Sequence, residues 1–138
     1  MSAVPEAAGG GAVRRRVYEY ALVRVVPRIE RGEQVNAGVI VYCQAAGFLA
    51  ARCALDEGRL LALDPGADVA GVRRALEAVE LVCRGGAHAG PAREEPAGRR
   101  FRWLTAPRST IVQPGPIHSG LTADPAAELE RLAAGLLG

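Results

Sequence analysis

Three runs rich in β-branched and aromatic residues follow one another with almost no chain between them, and this limits the fold more than any other feature. The runs are VYEYALVRVV at 17–26, QVNAGVIVYC at 34–43 and FLAARCAL at 48–55, joined only by PRIERG with its neighbours and by QAAG. A parallel connection needs a crossover of a dozen or more residues. These links are too short, so the runs are expected to form an antiparallel meander. In the first run Glu19 and Arg24 fall on opposite parities, as in a strand covered for most of its length. In the second, Val35, Ala37, Val39, Val41 and Cys43 share one expected core face, and Asn36, Gly38, Ile40 and Tyr42 share the other. Gly38 inside a strand signals a bulge or a close backbone approach. A tight turn near Gly47 sets Cys43 opposite Phe48.

Helical spacing takes over after residue 55. Asp56 can cap a short helix over 57–63. A longer helix begins at the cap Asp68 and carries Val69, Val72, Leu76, Val79, Val82 and Cys83 on one stripe, ending at Gly85 and Gly86. Residues 85–98 concentrate Gly and Pro and read as a loop. Residues 99–104 are expected to form a further turn of helix with Phe101 and Leu104 inward. Residues 110–113 fit a short fourth strand that Pro114 confines to an edge or an end. Asp124, Pro125 and Glu128 mark the start of a final helix, with Leu129, Leu132 and Leu136 as its apolar stripe. The expected fold is α+β: a small antiparallel sheet of three to four strands with helices packed on one side, spanning 14–138 after a disordered tail at 1–13.

A chain of 138 residues fits one domain that buries a core without disulfides or metals. Hydrophobic residues are 49% and aromatics only 4%, so the core must be assembled from Ala, Val and Leu. All 17 basic residues are arginine, the bias a GC-rich coding sequence produces, and acidic residues are spread among them to a net charge of +2. Arginine clusters therefore weigh little as evidence for nucleic acid, which calls for a concentrated basic face interleaved with aromatics. Cys43, Cys53 and Cys83 are odd in number, lack CxxC spacing and sit in apolar surroundings, so reduced buried thiols and a cytoplasmic location are expected. No apolar run reaches membrane-span length, and residues 1–13 do not read as a secretory signal.

The chemistry-bearing residues gather in 101–122, FRWLTAPRSTIVQPGPIHSGLT. This stretch holds the sole tryptophan, Trp103, with Arg108, Ser109, Thr110, Gln113, His118 and Ser119. Pro107, Pro114 and Pro116 fix φ and stiffen the path. An arginine fork beside two hydroxyls can cradle a phosphate or carboxylate. The structural alternative pairs Arg108 with a carboxylate and spends Ser109 and Thr110 on loop backbone. His118 as an acid or base needs a nucleophile or substrate within reach and a carboxylate such as Glu33 behind the ring. His88, in the AHAG loop, reads as exposed. Asn36 either secures the loop at 27–32 or meets the Arg108 segment across the sheet. Cys83 and His88 alone do not make a metal site, and no Gly-rich phosphate loop has the required spacing, so neither metal nor cofactor is assigned.

EQVNAGVIVY at 33–42 and WLTAPRSTIVQPGPIHSGLTADPAAELERL at 103–132 resemble an uncharacterised bacterial family, domain of unknown function 3037. The likeness runs from Val17 to the C-terminus. Its elements are an opening strand like YEYALVRVVPR, an E-x-x-N-x-G-V stretch, a P-R-S-T segment and a D-P-x-x-E-L helix. Gln34 and Ala37 stand where bulkier apolar residues are usual in the family. The resemblance implies no catalytic residues. It implies an accessory role beside a kinase-like protein.

The leading expectation is thus a non-enzymatic accessory protein that binds a protein partner, of kinase-like type, or a small anionic ligand through 101–122. Arg108 supplies charge, Ser109, Thr110, Gln113 and Ser119 supply hydrogen bonds, Trp103 supplies apolar anchor area, and Asn36 and Glu33 complete the site. The alternative is a small biosynthetic or modifying enzyme with His118 as acid or base and Arg108 as anion clamp. A third reading, nucleic-acid binding through Arg14–Arg16 and Arg99–Arg102, ranks below both. The apolar end of the chain at Ala133, Ala134, Leu136 and Leu137 admits a homodimer contact.

Overall fold

The computed structural model describes residues 14–137; the tail expected at 1–13 lies outside the described residues. The fold is α+β on a small antiparallel sheet, as the sequence indicates. Strands β1 (Arg16–Val25), β2 (Val35–Cys43) and β3 (Phe48–Cys53) form the expected meander. Gly47, with φ of 61°, closes the β2–β3 turn and places Cys43 opposite Phe48. Helices α1 (Glu57–Leu63), α2 (Val69–Arg84) and α3 (Ala97–Thr105) follow. Two short strands, β4 (Val112–Pro114) and β5 (His118–Thr122), then pair with the free side of β1, and α4 (Pro125–Leu136) ends the chain. The sheet order is β3-β2-β1-β4, with β5 continuing the β4 edge.

Helix starts follow the sequence closely. Asp56, Asp68 and Asp124 each accept a hydrogen bond from the backbone N–H three residues on, at Arg59, Gly71 and Ala127. The carboxyl end of α2 is closed by a side chain. Arg100 Nη1 donates to the carbonyls of Val82 (2.6 Å) and Cys83 (2.8 Å), and its Nε donates to Glu95 O. A cation at this end also opposes the helix dipole. Gly85 is required beside it: φ is 73°, and a Cβ there would meet the Arg100 guanidinium at 2.9 Å. The segment expected as loop at 85–98 instead holds 3-10 turns over Gly86–Ala92 and the first turn of α3.

The sequence reading set β2 with one core face and all helices on one side, and both expectations need correction. The β1–β2 register passes from Val23↔Gly38 to Arg24↔Asn36, so Ala37 and Gly38 together oppose Val23 in a β-bulge. Beyond the bulge the faces exchange. Val39, Val41 and Cys43 join Tyr18, Leu129 and Leu132 in one core, while Ala37 and Ile40 join Val23, Val25, Leu60, Leu76 and Phe101 in the other. β2 is apolar on both parities, so both faces must be covered. Helices α1, α2 and α3 take one face, and α4 takes the second. Gly38 fits because a Cβ there would lie 2.8 Å from Cys53 Sγ and 3.1 Å from Val23 Cβ.

β5 was not expected; 118–122 reads as irregular because Gly120 and polar residues break any alternation. Its place is made by Tyr18, whose ring lies against Gly120 with Cε1 2.9 Å from where a Cβ would sit. Tyr18 Oη then donates to Glu128 Oε2 (2.9 Å), tying β1 to α4. Between β4 and β5, residues 115–117 oppose only Ala21 and Leu22, a second bulge carrying Pro116.

Candidate functional site

α3 turns Phe101 and Leu104 into the core, which leaves Trp103 on the outward side with 55% of its surface exposed. The helix ends at Thr105, whose Oγ1 donates to Phe101 O (2.8 Å). Pro107 stands past that end, and the chain brings Arg108 back over it. The Arg108 guanidinium lies 5.4 Å from the centre of the Trp103 ring, donating through Nη2 to Trp103 O and through Nε to Ala106 O. Arg108 is thus held by backbone carbonyls and an aromatic face, not by the carboxylate that the structural alternative required.

Trp103 stands between two hollows on the same flank. The larger, about 570 Å³, lies between α2, the 3-10 segment and α3, with Leu81, Val82, Ala89, Pro91 and Arg99 in its walls. His88, expected as a plain exposed loop residue, is exposed and also borders this hollow. The smaller, about 290 Å³, is lined by Ala75, Val79, Leu104, Arg108 and Thr110. Thr110 Oγ1 donates to Val112 O (2.7 Å), a backbone-securing role, and Ser109 is exposed.

The remaining expected residues lie elsewhere. Register places Gln113 opposite Arg24 and His118 opposite Tyr20, and Arg24 opposite Asn36. Directly opposed residues share a face, so on the α4 side of the sheet Arg24, Asn36 and Gln113 form one polar rung and Tyr20 and His118 another, with Leu22 between them. The Tyr20 and His118 rings are 5.1 Å apart. Arg108 belongs to the α2 side. The clamp of Arg108 with His118 is therefore not assembled, because the sheet separates them. Ser119 opposes Glu19 on the face opposite to His118 and is exposed. Glu33 is exposed before β2 and pairs with Arg31 (2.7 Å), which draws its carboxyl below the usual value; it does not stand behind His118. Asn36 stands opposite Arg24 in the β1–β2 register, on the face away from Arg108.

Arg24 is the residue that sequence reasoning passed over. Its Nε is buried with no hydrogen-bond partner among the described residues, and its guanidinium lies against Gly115, where a Cβ would meet Cζ at 3.0 Å. The available signal was an arginine inside a strand otherwise apolar to its end. Four arginines of the two basic clusters are engaged structurally: Arg16 donates to Ala45 O (3.2 Å), Arg99 pairs with Glu95 (3.4 Å), Arg100 caps α2, and Arg102 forms a bidentate pair with Glu19 (2.8 and 3.1 Å).

All three cysteines are free. Burial pushes the thiols of Cys53 and Cys83 up to about 12, so both stay protonated near neutrality and are poor nucleophiles. Among the described residues no group of three or more His, Cys, Asp or Glu side chains is placed to hold a metal. No described helix is long and apolar enough to cross a membrane.

A family model described as "Protein of unknown function (DUF3037)" matches residues 20–137, which include the second part of β1 and every element after it. The chain belongs to this family. No curated protein and no solved structure matches it. Both stretches quoted from the sequence fall inside the match. In this DUF3037 chain they form β2 with its bulge, and the run from Trp103 through the β4–β5 edge into α4.

Proposed function

We propose that this DUF3037 chain is a non-enzymatic accessory protein that recognises a protein partner through the Trp103–Arg108 corner. The observation that supports this reading is an indole more than half exposed, set between two hollows and topped by a guanidinium already fixed in place. Exposed Trp beside Arg has the composition of an interface hot spot. Pre-ordering the arginine lowers the side-chain entropy lost on docking. The complementary surface is an apolar side chain that enters the larger hollow, next to a carboxylate that meets Arg108. A kinase-like protein is the partner class that the family resemblance implies.

The test is capture of the tagged chain from its native cells, with Trp103→Ala and Arg108→Ala in parallel and identification by mass spectrometry. One protein retained in stoichiometric amount by wild type and lost from both variants, with their thermal unfolding unchanged, supports the reading. Equal retention by all three overturns it.

A small anionic ligand is the second reading, and the unpartnered Arg24 Nε moves it from Arg108 to the sheet face with Asn36 and Gln113. Calorimetric titration with inorganic phosphate and with acetate, against Arg24→Gln, tests it. Heat of binding that disappears in the variant supports it, and no heat in wild type removes it.

A further inference from the structure

Among the described residues no strand pairs with the outer edge of β3, and that edge lies at the floor of a cleft. Ala54 N–H donates to Ala37 O (2.9 Å), which sets the phase of the β2–β3 ladder. Phe48, Ala50 and Arg52 then turn their backbone groups toward β2, and Leu49, Ala51 and Cys53 turn theirs outward. Cys53 N–H bears this out: it donates to Glu80 Oε2 at 3.0 Å, across to α2. The outward N–H and C=O groups of Leu49 and Ala51 have no hydrogen-bond partner among the described residues. The cleft, about 440 Å³, has β3 along its floor, with Glu80, Cys83 and Arg84 of α2 on one wall and Ala126, Leu129 and Glu130 of α4 on the other.

We infer that this cleft binds one extended segment of a partner protein, which pairs with β3 as a sixth strand of the sheet. Bare, regularly spaced backbone donors and acceptors are what an added strand satisfies. Glu80 already shows the interaction: its carboxylate holds the place a peptide carbonyl of the added strand would take at Cys53. The floor residues Ala50 and Ala51 are small, so incoming side chains have room on both faces. One side meets Leu49 and Cys83, the other Phe48, Ala126 and Leu129. Arg52 and Arg84 balance Glu80 and Glu130. The segment is therefore uncharged and apolar on successive residues, not alternating. A second copy of this chain does not fit, because its own β3 is equally recessed and a two-fold pairing would bring the helices together before the edges. The inference is independent of the Trp103 corner, which lies where α2 meets α3.

The probe is a displayed library of random linear peptides about eight residues long, the span of an ordinary strand, selected on the full chain. Two variants discriminate. Ala51→Pro removes one outward donor at an edge position where proline breaks no ladder bond. Ala126→Trp fills the cleft from the exposed first turn of α4 and leaves β3 untouched, so it serves if the proline variant does not fold. The expected result is selected peptides rich in uncharged apolar residues that lose at least about tenfold in affinity on each folded variant. They slow hydrogen exchange at the Leu49 and Ala51 amides, and N-methylation at alternate peptide residues abolishes their binding. Failure to select any peptide, or peptides that bind both variants as well as wild type, overturns the inference. So does a concentration-dependent dimer in sedimentation that Ala51→Pro abolishes, since the edge would then serve a second copy.

Discussion

The two edges of the sheet are built in opposite ways. On the β4–β5 side the strand is broken in the middle by a bulge, carries Pro114 and Pro116, and presents few regular backbone groups to a neighbour. On the β3 side the strand is unbroken, free of proline and rich in alanine, and among the described residues only Glu80 bonds to its outer backbone groups. Edges left regular invite pairing, and proteins ordinarily blunt them with bulges, proline or charge. One edge here is blunted within its own backbone. The other is sheltered by two helices, a protection that admits a single strand and excludes a sheet.

The largest change to this contrast comes from loosening β3 at its inner side. Gly38→Val puts side-chain atoms where Cys53 and Val23 already stand, and overpacking of this kind costs about 3 kcal/mol. A urea midpoint followed by circular dichroism should fall accordingly, with β3 amides exchanging before those of β1. An unchanged midpoint would mean that β3 is held by its helices alone. Arg100→Ala comes next. It uncovers the Val82 and Cys83 carbonyls at the end of α2, the helix that walls the β3 cleft, and should cost about 2 kcal/mol. Arg100→Lys should recover only part of this, because an ammonium lacks the planar fork.

Alkaline pH tests the packing between β3 and α2 without a substitution. The thiols of Cys53 and Cys83 have an ordinary value of 9.0 and are raised by burial to about 12 in the fold. The stability they contribute is fully present below the unfolded value and is lost as pH rises through the folded one. The urea midpoint should therefore fall as pH rises from about 9 toward about 12, and the Cys53→Ala, Cys83→Ala double variant should flatten that fall. Equal slopes would show that the thiols are open to water. The smallest effect belongs to the blunted edge. Pro116→Ala should lower stability by about 0.5 kcal/mol, chiefly through the freedom it gives the unfolded chain. If sedimentation then shows self-association, the proline guards that edge; if it does not, the bulge suffices.

Local rules carried the reading of the chain as far as neighbours within one element decide the outcome. The three aspartate caps, the stripe of α2, the turn at Gly47 and the inward pair Phe101 and Leu104 all follow from residues a few positions apart. β5 does not, because HSGLT becomes a strand only when the Tyr18 ring settles on Gly120. The face exchange in β2 also needs a partner: Gly38 announces an irregularity, but only the register against Val23 and Arg24 says which residues change sides. The candidate site divides for the same reason. Trp103 and Arg108 lie five residues apart at one helix end and meet as their spacing allows. Arg108 and His118 are also close in sequence, yet β4 runs between them along β1 and delivers them to opposite faces. Arg24, Asn36 and Gln113 come from three separate stretches and meet only through the sheet.

The exposed indole of Trp103 has a spectroscopic consequence. As the only tryptophan in the chain, it already faces water in the native state, so its emission should be red-shifted before any denaturant is added and should change little on unfolding. The same exposure turns it into a reporter of occupancy. A blue shift in emission would mark the moment when something covers the α3 corner, while a strand entering the β3 cleft would leave the fluorescence silent.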